Sequence, residues 1–175
     1  WLVQAWNMAY NISVKFSDPA DRWRWVQAGI ALLRDQGIRF NPREALVYRE
    51  LGWFFQHKMG QNLDDAHIFY KRSWVTNMTE VLGSGPIDFN RLISPESAED
   101  KQRAARLEEE YKLNPSVMKE VDDRYGPLEW RLPDAHAVYW AYVGLQRVKN
   151  DRLIDLRRMI YQSLHQAVLQ GRLIQ

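Results

Sequence analysis

The chain has 175 residues, 46% of them hydrophobic, a formal net charge of +2 and no cysteine. This length favours one domain or one compact repeat array, and the lack of cysteine excludes disulfides, thiolate metal sites and thiol catalysis. The 24 basic and 22 acidic residues are interspersed, which excludes the one-sided charge of a typical nucleic-acid-binding protein. No apolar run reaches the roughly 18 residues of a transmembrane helix, so we expect no membrane span.

Helical periodicity of apolar residues dominates the first half of the chain, and no strand pattern is present. Asp18 is predicted to cap the second helix, with Pro19 at the first helical position. The pair Asn41-Pro42 is expected to close that helix. The charge of Asp64 favours the beginning of a fourth helix, because carboxylates stabilise helix N-termini.

The second half of the chain begins with a break in the helical pattern at 83–94, where Gly83, Gly85 and Pro86 are turn formers. The charged helix that follows is polar on most sides, so we expect it to be peripheral. Asn114-Pro115 is expected to close it. The complete pattern predicts an all-α fold without a sheet, with helices at 2–16, 19–38, 43–59, 64–80, 95–113, 116–125, 133–149 and 151–172.

The stretch 45–73 resembles the tetratricopeptide repeat, a unit of two helices. The first helix carries the early aromatic residue, the Leu-Gly pair and the following aromatic residue of that family, and the second helix keeps its small-aromatic-small spacing. The turn between the helices is about two residues longer than the family's, and the closing proline is missing near Met78. The matching residues are Tyr48, Leu51, Gly52 and Phe55, then Ala66, Tyr70 and Ser73.

This resemblance implies antiparallel helix pairs stacked as a right-handed superhelix with an inserted helical segment. A generic helical bundle, in which the aromatic residues are simply core, is the alternative. The phrases "WNMAYNIS", "GWFFQHKMGQNLDDA" and "LPDAHAVYWA" also resemble an uncharacterised family of large bacterial proteins, which implies no activity. The chain begins at Trp1, and we expect it to be a fragment of a longer protein. The predicted divisions are a first pair at 1–42, a second pair at 43–80, an insert at 81–131 and a terminal pair at 132–175.

Catalytic and metal-binding patterns are weak throughout. His57 and His67 flank a turn that carries Asp64 and Asp65, and two imidazoles with two carboxylates could in principle bind Zn²⁺. No spacing places two of these ligands on one helical face, so we expect no metal site. No phosphate-binding loop or activated nucleophile is present, and we expect no cofactor and no catalytic residue.

Arg152, Arg157 and Arg158 alternate with acidic residues, which indicates a solvated helix face in preference to a nucleic-acid or membrane contact.

In tetratricopeptide arrays the first helix of each pair lines a concave groove. The resemblance places the groove positions at Arg49, Trp53, Gln56 and His57, a composition typical of binding hot spots. The leading hypothesis is therefore a scaffold that binds a protein or peptide. One alternative is an architectural module of a larger protein without a groove ligand. Another is an enzyme whose site is built from loops 60–65 and 126–133, although no residue requires it.

Overall fold

The computed structural model describes residues 1–149 and 153–169, and this part of the chain forms helices without a strand. Three of the helices continue from an α-helical segment into a wider π-helical one. The helices are α1 (Leu2–Trp6, π-helical Asn7–Ile12 and the 3-10 turn Ser13–Lys15), α2 (Pro19–Ala31, π-helical Leu32–Gly37 and Ile38–Phe40), α3 (Ala45–Trp53 and π-helical Phe54–Met59), α4 (His67–Leu82), α5 (Phe89–Ile93), α6 (Ala98–Glu109), α7 (Pro115–Tyr125), α8 (Pro133–Arg147) and α9 (Leu153–Leu169).

The all-α prediction is confirmed for the described residues, and each predicted helix has a counterpart. The helix α5 was missed, because its five residues are too few to show a helical period. Asp88 caps it by accepting hydrogen bonds from the amides of Asn90 and Arg91 at 3.0 and 3.4 Å. Of the predicted last helix, 151–152 and 170–172 lie outside the described residues, as does Arg152.

Side-chain caps fix several helix starts. The Asp18 carboxylate accepts from the Ala20 amide at 2.8 Å, which confirms that cap. Asn114 was expected to close a helix, but its side chain instead caps the start of α7, accepting from the Ser116 and Val117 amides at 2.9 and 3.2 Å. An asparagine followed by proline suits this position, since proline at the first helical position has no amide hydrogen that needs a partner.

The core is centred on α8, which is buried along almost its whole length. It packs against α3 and against α9, so α3 is covered by a helix that lies far from it in sequence. By contrast, α6 buries only Asp100 and Leu107, in line with its expected peripheral position. The segment between α4 and α8 packs through α7 onto α8 and through α6 onto α4.

Gly52 lies where α3 contacts both α8 and α9. A Cβ atom at Gly52 would overlap Sδ of Met159 and would lie 3.4 Å from the Ala137 carbonyl oxygen. Gly144 has the reciprocal role on α8, where a Cβ atom would lie 2.9 Å from both Tyr48 Cβ and Leu156 Cδ1. The prediction that Gly52 permits a close helix contact is confirmed, whereas Gly144 was not singled out from the sequence.

The two glycines give a matched test of this contact. We expect Gly52→Leu to cost about 1–3 kcal/mol of unfolding free energy, because it overpacks a full contact. Gly52→Ala should cost less, since the flexible end of Met159 can move aside and alanine favours the helix. Gly144→Ala should cost more than Gly52→Ala, because Tyr48 Cβ is held by its backbone. Urea unfolding of the three variants measures this order, and equal stability of all three with the wild type contradicts it.

His136 is a core residue rather than a candidate site residue. It is 1% exposed, donates through Nε2 to the Trp130 carbonyl oxygen at 2.8 Å and stacks on Phe55 at 5.2 Å between ring centroids. Burial lowers its pKa to about 4, and the carbonyl hydrogen bond only partly opposes this. The imidazole is therefore neutral in the folded protein at neutral pH.

This burial makes stability depend on pH. The unfolded chain binds a proton at His136 near pH 6.5 and the folded chain only near pH 4. The contribution of neutral His136 to the free energy of unfolding is therefore fully present above about pH 6.5. It is lost as the pH falls towards 4, and the free energy of unfolding then changes by up to roughly 1.4 kcal/mol per pH unit. Half-buried Asp122 opposes this slope, because desolvation raises its pKa to about 6. We expect His136→Gln to flatten the acid side of the stability profile and Asp122→Asn to steepen it. Unchanged profiles in both variants contradict this assignment.

Candidate functional site

Four aromatic rings from two helices form one partly exposed surface, which we call the aromatic platform: Trp6 and Tyr10 of α1 with Trp53 and His57 of α3. Trp6 stacks on Tyr10 at 4.2 Å between ring centroids, and Trp53 stacks on His57 at 4.5 Å. Tyr10 and His57 join the two stacks at 5.9 Å. Trp6 is 39% exposed and the other three rings are partly buried, so part of the surface is open to solvent.

Polar contacts hold these rings in place. The Trp6 indole donates to the buried carboxylate of Glu50 at 2.7 Å, and Glu50 also forms an ion pair with Arg49. The Arg49 guanidinium lies 5.6 Å from the centre of the Trp53 ring, which is a cation–π distance. Glu50 therefore orients one ring of α1 and, through Arg49, one ring of α3.

The hydroxyl of Tyr10 lies 3.2 Å from Nδ1 of His57. Burial, with the nearby charge of Glu50, raises the pKa of Tyr10, so its hydroxyl stays protonated and can donate. Burial, with the charge of Lys58, lowers the pKa of His57. A neutral imidazole that accepts at Nδ1 carries its proton on Nε2, which makes His57 a donor on the other side of the ring.

Three of the four predicted groove residues lie together, and the fourth does not. Arg49, Trp53 and His57 form one row along α3. Gln56 is 4% exposed and donates to Ser163 Oγ of α9 at 3.1 Å, so its inclusion in an open groove was wrong. The physical reason is the π-helical segment Phe54–Met59. A π-helix has more residues in each turn than an α-helix, which brings position 57 into line with 53 and turns 56 inward.

A cavity of about 450 Å³, which we call the charged pocket, adjoins the platform. Lys58 Nζ and Arg22 Nη2 both contact the Asp64 carboxylate, at 2.5 and 2.8 Å. Arg22 Nη1 contacts Asp65 at 2.7 Å. Helices α1, α2 and α3 and the loop before α4 thus meet at one set of charges. The lining residues are Tyr10, Val14, Arg22, His57, Lys58, Leu63, Asp64 and Asp65.

Both cations of the pocket are buried, since the side chains of Lys58 and Arg22 are 3% and 9% exposed. Lys58 Nζ lies 4.8 Å from the centre of the Tyr10 ring. Burial alone would raise the pKa of Asp64, but the hydrogen bonds from Lys58 and from the Ala66 amide, with the charge of Arg22, hold it below its usual value. Burial raises the pKa of nearby Tyr70 to about 12. The pocket therefore combines two basic side chains with two acidic ones, and at neutral pH Asp64 is ionised and Tyr10 is neutral.

Several residues of this region were not predicted. Trp6 and Tyr10 lie on α1 and Arg22 on α2, and only tertiary contacts bring them to α3. Lys58 follows His57 in sequence, but a lysine at that point is typical of an exposed helix end. Asp64 was interpreted as a helix-start charge, and its carboxylate does accept from the Ala66 amide at 2.9 Å, just before α4 begins at His67. Its pairing with two buried cations was not predicted.

The residues considered for zinc are only partly brought together. His57, Asp64 and Asp65 line the charged pocket, and His67 does not. Within 1–149 and 153–169, no three His, Asp or Glu side chains are placed to hold a metal ion. The two loops considered for an enzyme site, 60–65 and 126–133, do not share a cavity. The first lines the charged pocket, whereas Leu128, Glu129 and Leu132 of the second line a different, smaller cavity.

None of the described helices combines the length and apolar character needed to cross a membrane. Comparisons of the chain with protein-family models, with curated proteins and with solved structures gave no match.

Proposed function

We propose that this chain is a helical-repeat scaffold that binds a protein or peptide through the aromatic platform. The observation that carries the proposal is the platform itself: four rings from two helices that are not consecutive, stacked in pairs and partly exposed. Exposed aromatic residues beside arginine are enriched in the energetic centres of protein interfaces. We assign no catalytic residue to the chain.

The platform offers three kinds of contact. The solvent-exposed parts of the Trp6 and Trp53 rings would pack against apolar side chains of the partner. Arg49, whose side chain is 38% exposed, would pair with a partner carboxylate. His57 would donate from Nε2 to a backbone carbonyl. Gln56, which we first included, has no part because it bonds to Ser163 inside the protein.

The finer architecture belongs to the same proposal. With α1 and α2 as one pair and α3 and α4 as the next, both halves of the platform come from first helices of pairs, which is where a tetratricopeptide array forms its groove. The contact of α3 with α8, across the intervening insert, supports stacking of a third pair on the second. In a right-handed superhelix of such pairs, α1 and α3 would lie side by side, which would bring the platform rings together.

The second candidate is an architectural module of a larger protein. It is favoured by a separate apolar stripe on α9, where Ile154, Tyr161 and Val168 repeat every seven residues and are 63%, 70% and 57% exposed. Residues at this spacing share one helix face. A neighbouring domain could cover this stripe, and the platform would then have no ligand of its own.

Selection from a random peptide library tests the proposal. Wild-type chain is used for capture, and the Trp53→Ala variant is used to remove peptides that bind elsewhere. We expect a family of peptides with an apolar or aromatic anchor whose binding depends on Trp53. If no wild-type-binding peptide remains after this removal, the platform is not the binding surface and the architectural module is favoured.

A further inference from the structure

The charged pocket has an uneven distribution of buried charge. Two cations, Arg22 and Lys58, are buried, but only one of their carboxylate partners, Asp64, is buried with them. The second carboxylate belongs to Asp65, whose side chain is 84% exposed. Without Asp65 the buried part of the pocket would contain one excess positive charge, in an environment that solvates it poorly.

Asp65 is a replaceable partner for Arg22. An exposed carboxylate gains little from a single ion pair, because water solvates it almost as well. A carboxylate that enters the pocket could therefore take the place of Asp65 at Arg22 Nη1, where the present distance is 2.7 Å.

Part of the remaining wall of the pocket is apolar, although His57 also lines it. Val14 and Leu63 line it and are 51% and 69% exposed, and the ring of Tyr10 lies beside them. A ligand with a short hydrocarbon tail would remove these side chains from water, and burial of apolar surface is favourable. The volume of about 450 Å³ lies within the range typical of small-molecule sites.

The geometry points to a small monocarboxylate with an apolar tail as the ligand of the charged pocket: the carboxylate replaces Asp65 on Arg22, and the tail covers Val14 and Leu63. This site is independent of the peptide surface proposed above, although Tyr10 and His57 border both. The pocket can therefore be tested whether or not a peptide binds the platform.

The charges distinguish this ligand from its alternatives. A monoanion that replaces the Asp65 carboxylate leaves the pocket neutral, whereas a dianion such as phosphate would add an uncompensated negative charge beside Asp64. A cation with the same tail would lie against Arg22 and Lys58, and like charges repel strongly where water is excluded. We therefore expect hexanoate to bind more tightly than either phosphate or hexylammonium.

Nuclear magnetic resonance of the complete chain provides the first test. Hexanoate, hexylammonium and inorganic phosphate are titrated separately while the Nε–Hε signal of the Arg22 side chain is observed. We expect hexanoate to move this signal saturably, with a millimolar Kd that suits so small a ligand. Hexylammonium or phosphate binding as tightly as hexanoate would overturn the assignment, and so would an Arg22 signal that hexanoate leaves in place.

The second test uses a gain of affinity, which a damaged protein could not produce. Asp65→Asn removes the competing carboxylate, so hexanoate should bind roughly tenfold more tightly. Asp123→Asn is the matched control, because Asp123 is also exposed at 64% and forms an ion pair with Lys119 at 2.6 Å across one helical turn, outside the charged pocket. This control should leave the Kd unchanged. Unchanged or weaker hexanoate binding in Asp65→Asn would overturn the proposal.

Discussion

Asp64→Asn is expected to destabilise the protein by about 3–5 kcal/mol, because it leaves buried charges without their counter-ion. The carboxylate of Asp64 lies 2.5 Å from Lys58 Nζ and 2.8 Å from Arg22 Nη2. An asparagine keeps one acceptor oxygen but presents an amide NH₂ group to the second cation. The free energy of unfolding in urea measures the loss.

The adjacent residue provides the control. Asp65→Asn makes the same chemical change one position further along the chain, where the side chain is 84% exposed. Arg22 is buried but keeps Asp64 as a partner, and Asp65 itself is solvated by water, so we expect Asp65→Asn to cost clearly less than Asp64→Asn. Equal losses for the two variants would show that burial does not determine the strength of these ion pairs.

A double variant separates lost charge balance from general damage. Lys58→Met removes the ammonium that Asp64→Asn leaves unpaired, and methionine fills a similar volume. The double variant should therefore be more stable than Asp64→Asn alone, because a buried ion pair replaced by apolar or neutral groups often costs little. Additive losses would contradict the direct pairing of the two residues.

The carboxylate of Asp64 should also influence how stability changes at acid pH. In the folded state the pKa of Asp64 is held below its usual value. The stabilisation is therefore present above the usual pKa of 3.8 and is lost as the pH falls through the lower folded value. This loss should be absent from Asp64→Asn, whose stability is already low at neutral pH.

What the sequence could predict was local. Asp18-Pro19 identifies a helix start because capping depends only on neighbouring residues, and the structure has that cap. Gly52 was identified from a family resemblance and not from its contacts, since Ala137 and Met159, which meet it, lie far along the chain. A cap depends on separations of a few residues, and at that range the chain geometry is nearly fixed by the helix.

The features that could not be predicted from the sequence depend on residues far apart in the chain or on an irregular helix. Arg22 and Asp64 are 42 positions apart and Trp6 and Glu50 are 44 apart, so only the packed fold places them together. The error at Gln56 has a different origin. An α-helical count puts 49, 53 and 56 on one face, and the π-helical segment changes that count without any sequence signal that we recognise.

Trp53→Ala should weaken binding of a platform-dependent peptide by roughly 2 kcal/mol or more, which is about thirtyfold in Kd. The indole is partly buried, stacks on His57 and lies under the Arg49 guanidinium, so a partner gains a ring that is already held in place. A ring with restricted motion loses little conformational entropy on binding. Titration of a peptide selected against the wild type measures the change in Kd.

The same variant decides whether Trp53 belongs to the surface or to the core. Trp130 is 0% exposed, and Trp130→Ala should cost the roughly 3–5 kcal/mol typical of a buried indole. Trp53→Ala should cost clearly less, because part of its ring faces solvent. Trp25, which is also partly buried but stacks on Phe16 at 6.3 Å, controls for the loss of a half-buried ring. Trp25→Ala should leave the peptide Kd unchanged. If Trp53→Ala instead melts as early as Trp130→Ala, the indole stabilises the core, and the apolar stripe of α9 becomes the better candidate for a contact surface.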